Sequence, residues 1–156
     1  MFRRLAIAIA IGLPACGGVT DPSSPPNDFS SGNFTMNIVA SDACTALADA
    51  GRNRSWNVGL LAAGSSVTGD LQGWPDPATA VAQAAFTGTA KGRMLTLTGS
   101  IFERIVGCAP LDCYRAEGTL NATQTGYVLT GTFDGVIGYD TTTCTAPDHK
   151  VTLTRR

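Results

Sequence analysis

Apolar and polar residues alternate along most of the chain from residue 33 onward, and turn residues interrupt the alternation at short intervals. A period of two places successive side chains on opposite faces of a β-strand. A regular series of such strands is typical of an all-β sandwich or barrel. We expect eight strands, at 33–40, 54–62, 66–71, 84–90, 93–106, 112–121, 126–137 and 149–154.

One stretch after the first strand breaks this pattern. Residues 42–51 are rich in Ala and contain one Leu, which favours a short helix. Ser41 or Asp42 is suited to the N-cap, and Gly51 is suited to the left-handed residue that ends a helix. We therefore expect one short helix that covers an end of the sheet.

The lengths of the connections favour one architecture. The connections after strands two, four and six are short, at 63–65, 91–92 and 122–125, whereas those after strands one, three, five and seven are longer, at 41–53, 72–83, 107–111 and 138–148. This strict alternation predicts a single eight-stranded antiparallel up-and-down barrel, with tight hairpins at one end and longer loops at the other. Closure of the barrel removes exposed edge strands.

The inward face of the fifth strand has two possible phases. Continuing the phase of Leu97 to the end of the strand buries Glu103. A bulge near residues 99–100 buries Arg104 instead. Because either phase places one charge near the barrel wall, that charge needs a partner or solvent; we favour the bulge.

The cysteines indicate an oxidising compartment and support barrel closure. Apart from Cys16, four remain, and we expect two disulfides. Cys44 follows the first strand and Cys144 precedes the eighth, which are neighbours in a closed barrel, so we favour this pair together with Cys108–Cys113. The other two pairings stay open. We expect no metal, because the chain has no short Cys-x-x-Cys spacing and one histidine.

The N-terminus has the composition of an export signal. Arg3 and Arg4 precede an apolar run at 5–13, which is far shorter than the roughly 20 residues of a membrane-spanning helix. Residues 13–16, Leu-Pro-Ala-Cys, resemble the lipobox of bacterial lipoproteins. The resemblance implies that Cys16 is lipidated and anchors the protein in the bacterial cell envelope, with the outer membrane as the expected location. A chance cysteine beside an ordinary cleavage site is the less favoured alternative.

These features divide the chain into three parts. We expect a lipoprotein signal peptide at 1–15, a disordered tether at 16–31 and a β-barrel domain at 32–156. The tether contains several Pro, Gly, Ser and Asp residues and few large apolar ones, so it has too little apolar surface to order itself.

Two resemblances concern the barrel. Gly32-Asn33-Phe34 at its start and Arg155 at its end resemble the lipocalin superfamily, in which a Gly-x-Trp and a late arginine meet at the closed end of the barrel. The segments 44–47, 52–56 and 148–153, together with the late cysteine, are similar to a group of uncharacterised bacterial exported or lipid-anchored β-barrel proteins. Both resemblances imply the fold, and the second implies no activity.

The barrel interior contains the candidate ligand contacts. Trp56, Phe86 and Phe133 are predicted to point inward. Small inward residues leave room for an apolar ligand or, as we favour, allow the strands to coil while aromatic side chains fill the space; they are Gly69, Gly88, Gly118, Gly131 and Gly135.

Three further residues are candidate partner contacts at the end with the longer loops. Trp74 lies among turn residues and is either an interface anchor or a plug on its own core. Arg52 and Arg54 could bind an anion at the mouth, but ion pairs with Asp42 or Asp49, or binding to a helix C-terminal carbonyl, are favoured.

The composition excludes some functions and leaves two. The net charge is −1 without a basic patch, which disfavours nucleic acid. We expect no catalysis and no cofactor, because His149 has no nucleophile beside it and no Gly-x-Ser-x-Gly occurs. The first hypothesis is a lipid-anchored barrel that binds a small hydrophobic ligand. The second is a scaffold whose longer loops bind or inhibit another macromolecule.

Overall fold

The computed structural model describes residues 28–72, 80–105 and 113–156. Eight antiparallel strands form a closed barrel in chain order, and the last strand pairs with the first. This confirms the predicted fold class. In order, the elements are β1 (Gly32–Val39), α1 (Asp49–Arg52), β2 (Asn53–Ala63), β3 (Ser66–Leu71), β4 (Ala80–Lys91), β5 (Met94–Ile105), β6 (Tyr114–Thr125), β7 (Val128–Tyr139) and β8 (Thr142–Arg155). In the described ranges, no helix has the length and apolar composition needed to cross a membrane.

Side chains that point inward fill the barrel. Alternating positions of the strands are buried, and they include the predicted inward residues Trp56, Phe86 and Phe133. Two inward glycines, Gly88 and Gly131, allow neighbouring strands to approach closely, because a Cβ at either position would lie 1.9 Å from a carbonyl oxygen of the adjacent strand. The backbone thus occupies the space beside these two glycines, in agreement with the favoured coiling interpretation.

The predicted bulge in β5 is wrong. This strand pairs in unbroken register with both of its neighbours, so Glu103 is buried and Arg104 is exposed. Burial of the carboxylate is possible because Arg54 and the indole of Trp56 bind it from the opposite side of the barrel. Within the described strands, the register shifts between Phe133 and Gly135 of β7, where β8 carries one additional residue.

The predicted long loop at 138–148 is also wrong. Strands β7 and β8 continue to a two-residue turn at 140–141. Asp140 has a φ of 54°, in the left-handed region that Asp tolerates better than most residues. Pro147 lies at the register shift, where a missing N–H is tolerated. One of the four expected long connections is therefore a tight hairpin.

The predicted helix at 42–51 forms only in its last part. Helix α1 has four residues, its N-cap Ala48 makes no side-chain capping bond, and residues before it form turns. Gly51 is inside the helix and does not take a positive φ. A Cβ there would lie 2.3 Å from that of Tyr139, so Gly51 allows α1 to pack against β7. Buried Cys44 and Leu47 hold the preceding turns against the barrel.

The structure contains the favoured disulfide between Cys44 and Cys144, which joins residues 100 positions apart. Cys144 lies within β8 rather than in a loop before it. Cys113 is also disulfide-bonded, and its predicted partner Cys108 lies outside the described residues.

Asp140→Gly is expected to raise the free energy of unfolding by about 0.5 kcal/mol, because glycine adopts the left-handed region without the steric penalty of a side chain. Urea denaturation measures the change. The control is Thr141→Gly in the same turn, where φ is not positive, and this variant is expected to lose stability. Equal losses in both variants would contradict the prediction.

Replacing Cys44 and Cys144 together by Ala is expected to lower the free energy of unfolding by about 4 to 5 kcal/mol, because the unfolded chain is no longer closed into a long loop. Denaturant titration measures the loss. The exposed neighbour Thr143 offers a control, Thr143→Ala, which should be nearly neutral. A loss below about 1 kcal/mol would show that the disulfide constrains little in the unfolded chain.

Candidate functional site

Residues 40–52, here called the cover segment, lie over one end of the barrel. The segment closes on itself through a hydrogen bond from Ala40 N to the Arg52 carbonyl oxygen at 2.7 Å. Its middle is held by the disulfide at Cys44 and by the buried side chain of Leu47. At its end, Gly51 packs on Tyr139 of β7. The cover segment is thus fixed to β7 and β8 as well as to the two strands that it connects.

His149 links the cover segment to the barrel wall. Its Nδ1 accepts a hydrogen bond from the backbone N–H of Ser41 at 2.9 Å. This leaves the proton on Nε2, which donates to the Gly135 carbonyl oxygen at 3.2 Å. Burial lowers the pKa of His149, against the opposing effects of the bond to Gly135 and of the carboxylates of Asp148 and Asp134. Backbone groups therefore form hydrogen bonds with both ring nitrogens of a neutral imidazole. Because neither nitrogen is available to take a proton from a substrate, His149 is not suited to act as a general base.

An ion pair crosses the barrel interior toward the covered end. Arg54 of β2 binds Glu103 of β5 through Nη2 and Oε1. The Nε1 of Trp56 donates to the other carboxylate oxygen of Glu103 at 3.3 Å. The Arg54 side chain is 22% exposed, whereas that of Glu103 is buried. The ion pair joins two strands that are not neighbours in the sheet, so it links two parts of the barrel wall through the interior.

Tyr114 completes this group. Its ring lies 5.0 Å from that of Trp56, and the Arg54 guanidinium carbon lies 5.9 Å from the ring centre. Its hydroxyl oxygen is buried and makes no hydrogen bond within the described part of the chain. Burial raises the pKa of this hydroxyl far above its ordinary value; Arg54 opposes the shift and Glu103 adds to it. We call Arg54, Trp56, Glu103 and Tyr114 the polar cluster.

The other end of the barrel, here called the hairpin end, contains the turns at 64–65, 92–93 and 126–127. There the Arg155 guanidinium lies over the Phe34 ring at 5.8 Å and donates to Ser30 Oγ and to the Ser31 carbonyl oxygen. Phe29 stacks on Phe34 and donates its N–H to the Gly92 carbonyl oxygen. Phe34 and Arg155 thus lie in contact at the hairpin end, as expected from the resemblance of these two positions to lipocalins.

The structure brings together some predicted site residues and separates others. Trp56 and Arg54 share the polar cluster, but Arg54 binds Glu103 and not the expected Asp42 or Asp49. Asp42 instead lies 3.6 Å from Lys150 in an exposed pair. Arg52 ends α1 and is outside the cluster. Buried Phe86 and Phe133 lie in the core of the barrel, whereas Cys16, Trp74 and Cys108 lie outside the described residues.

Sequence reasoning missed Glu103 and Tyr114 as members of one site. Unbroken alternation along β5 is the signal that places Glu103 inside, whereas the predicted bulge places Arg104 there instead. The range 112–121 of the predicted sixth strand includes Tyr114, but nothing in the sequence indicates which side chains its ring meets across the barrel.

The described part of the chain contains two clefts, one of about 480 Å³ along β1 to β3 and one of about 400 Å³ along β3 to β5. The larger includes Gly59, Leu61 and Thr68, and the smaller includes Gln83 and Phe102. Neither is lined by a residue of the polar cluster. Among residues 28–72, 80–105 and 113–156, no group of three or more His, Cys, Asp or Glu side chains is placed to hold a metal ion.

Comparisons of the chain with protein-family models, curated proteins and solved structures found no match. The assignment of an eight-stranded barrel therefore depends on the strand pairing itself, and the site must be interpreted from its own chemistry.

Tyr114→Phe is expected to raise the free energy of unfolding by about 1 kcal/mol, because it removes a buried hydroxyl without a hydrogen-bond partner in the described residues. Chemical denaturation measures the change, and Tyr127→Phe, at an exposed turn residue, is the control. A loss of stability would instead show that the Tyr114 hydroxyl binds a guest molecule or water.

Lowering the pH from about 6.5 to 5.5 is expected to reduce stability through His149. Its pKa is lower in the folded protein than in the unfolded chain, so the unfolded chain binds more protons in this range. Above the pKa that His149 has in the unfolded chain, neither state binds this proton, and His149 no longer makes stability depend on pH. Because His149 is the chain's one histidine, the stability of His149→Gln should vary less over this interval. Denaturation midpoints at several pH values test this, and identical slopes would contradict it.

Proposed function

We propose that this protein is a lipid-anchored barrel of the bacterial cell envelope that acts as a scaffold and binds another macromolecule at its covered end. The supporting observation is that core side chains fill the interior, while the polar cluster lies toward one end and Phe29, Phe34 and Arg155 lie at the other. Recognition therefore falls to the outer surface. We assign the protein no cofactor and no catalytic role, in keeping with the engagement of both His149 nitrogens.

The position of the anchor supports the choice of the covered end. The described chain begins with Asp28, which lies beside Gly92 at the hairpin end. In the proposed lipoprotein, the tether leads from this end to the lipid on Cys16. The covered end then points away from the membrane, toward partners in the surrounding compartment.

The rigidity of the cover segment also supports binding of a macromolecule. Exposed Asp42, Thr45, Ala46 and Asp49 belong to a segment that the Cys44 disulfide and the Ser41 bond to His149 hold in place. A surface that is already ordered loses little conformational entropy on association. We therefore place the partner contact on the exposed face of the cover segment.

The alternative of a small hydrophobic ligand has less support. The inward aromatic residues pack into one buried cluster, and neither of the two clefts in the described ranges is lined by Trp56, Phe86 or Phe133. A ligand entering from the covered end would also meet the Arg54–Glu103 ion pair. Native mass spectrometry after gentle extraction should therefore find the polypeptide without a bound small molecule; a recurring adduct of one small mass would favour this alternative instead.

The lipid anchor is tested in bacterial cells. The wild-type protein is expected to incorporate a labelled fatty acid and to fractionate with membranes, and Cys16→Ser is expected to lose the label. The control replaces Cys44 and Cys144 together by Ser, because it also exchanges cysteine for serine, leaves no unpaired thiol from this disulfide and should retain the label. Equal labelling of wild type and Cys16→Ser would overturn the anchor assignment.

The partner contact is tested with a photo-crosslinking amino acid at Ala46, in the cover segment, and with the same group at Thr132 on the barrel wall as the control; both positions are exposed. A specific adduct is expected from Ala46 alone. It should disappear with the charge reversal Asp49→Arg and persist with Asp70→Arg, a matched reversal on β3. The same adducts from both positions would contradict a contact at the covered end.

A further inference from the structure

The exposed large apolar side chains of the described residues share one location. They are Leu61, which is 65% exposed, Met94, which is 63% exposed, and Tyr127, which is 43% exposed. Leu61 precedes the turn at 64–65, Met94 follows the turn at 92–93, and Tyr127 lies within the turn at 126–127. All three therefore belong to the hairpin end.

These side chains surround the barrel axis and do not form one patch. They belong to the β2–β3, β4–β5 and β6–β7 hairpins, which are separated from one another by the order of strands in the closed sheet. Between the β6–β7 and β2–β3 hairpins, this end of the barrel contains the start of β1 and the end of β8. A partner that contacts all three must therefore cover the whole end of the barrel as an approximately flat surface.

The charges at the hairpin end are mostly positive. Lys91 precedes the β4–β5 turn, Arg93 lies within it, and Arg155 and Arg156 lie at the end of β8. Asp28 is the carboxylate that the described chain places beside them. The other described carboxylates lie on the barrel wall or toward the covered end: Asp42, Asp49, Asp70, Glu103, Glu117, Asp134, Asp140 and Asp148.

We propose that the hairpin end docks directly on a lipid bilayer that contains anionic headgroups. Leu61, Met94 and Tyr127 enter the boundary between headgroups and acyl chains, and Lys91 and Arg156 bind lipid phosphates. This inference rests on the proposed lipid anchor, because the described chain begins at the same end. The contact gives the barrel a second attachment and sets its orientation, with the covered end facing away from the membrane.

Two observations favour a bilayer over a protein partner or a second copy. Stable protein interfaces need a contiguous, well-packed surface, whereas these apolar side chains are separate and surround the axis. Cations beside exposed apolar groups match the chemistry of an anionic headgroup layer. A membrane also needs no shape complementarity beyond a flat face.

The test uses the purified full chain with Cys16→Ser, so that acylation does not determine binding. It measures flotation with vesicles of phosphatidylglycerol and phosphatidylcholine, and with vesicles of phosphatidylcholine alone. We expect stronger binding to the anionic vesicles. Lys91→Ser with Arg156→Ser should lower the partition coefficient by about 25-fold, at roughly five-fold for each cation. The control, Arg104→Ser with Arg115→Ser, removes the same charge near the other end and should change it little.

The apolar contribution is tested by Leu61→Ser with Met94→Ser, which should weaken binding to both kinds of vesicle. Because both side chains are exposed, these variants should retain their thermal stability, and circular dichroism checks this. Every variant carries the same N-terminal residues, so the ratio of two partition coefficients reports only the contribution of the substituted side chains at the hairpin end.

Two results would overturn the docking proposal. One is an equal effect of the hairpin-end and control charge variants. The other is a dimer in sedimentation velocity that Leu61→Ser with Met94→Ser abolishes, which would make this surface an interface between copies. Neither result affects fatty-acid labelling at Cys16. Conversely, failure of labelling would leave vesicle binding of the Cys16→Ser chain intact, so the two proposals can fail separately.

Discussion

The narrow interior of an eight-stranded barrel is the constraint on which the rest of this structure depends. Such a barrel is just wide enough for side chains to fill. Inward positions must therefore alternate between bulky residues and glycines such as Gly88 and Gly131, where neighbouring backbones come close. The Arg54–Glu103 ion pair lies within this space, and burial of Glu103 is offset because its carboxylate accepts hydrogen bonds from both Arg54 and Trp56.

Much of the fold could be predicted from the sequence, because strand order and closure follow from the alternation and from the connections. Closure then makes distant residues neighbours, which is why the Cys44–Cys144 bond could be anticipated, whereas the meeting of Phe34 with Arg155 was expected from the resemblance to lipocalins. The β7–β8 hairpin could not be predicted in this way. Strand β8 is rich in Thr but contains Pro147, which by itself indicates a loop. The proline fits into the strand only because β8 pairs with β7 and the register shifts at that point.

The candidate site was less predictable than the fold, because its contacts cross the lumen. The inward position of Trp56 followed from alternation, but the partner of Arg54 lies on β5, where the predicted bulge gave the wrong phase. The helix signal at 42–51 failed for a related reason. Tertiary anchors at Cys44 and Leu47 determine the path of this segment and override its helix propensity.

Pairing of the first strand with the last also affects how the chain folds. Strand β1 cannot complete its hydrogen bonds until β8 exists, so contacts of high sequence separation must form before the barrel is sealed. A chain that lacks β8 would expose the edges of both β1 and β7, each able to pair with another molecule. The barrel can therefore close only once β8 has been synthesised, and until then the unpaired edges of β1 and β7 are sites at which another molecule can pair.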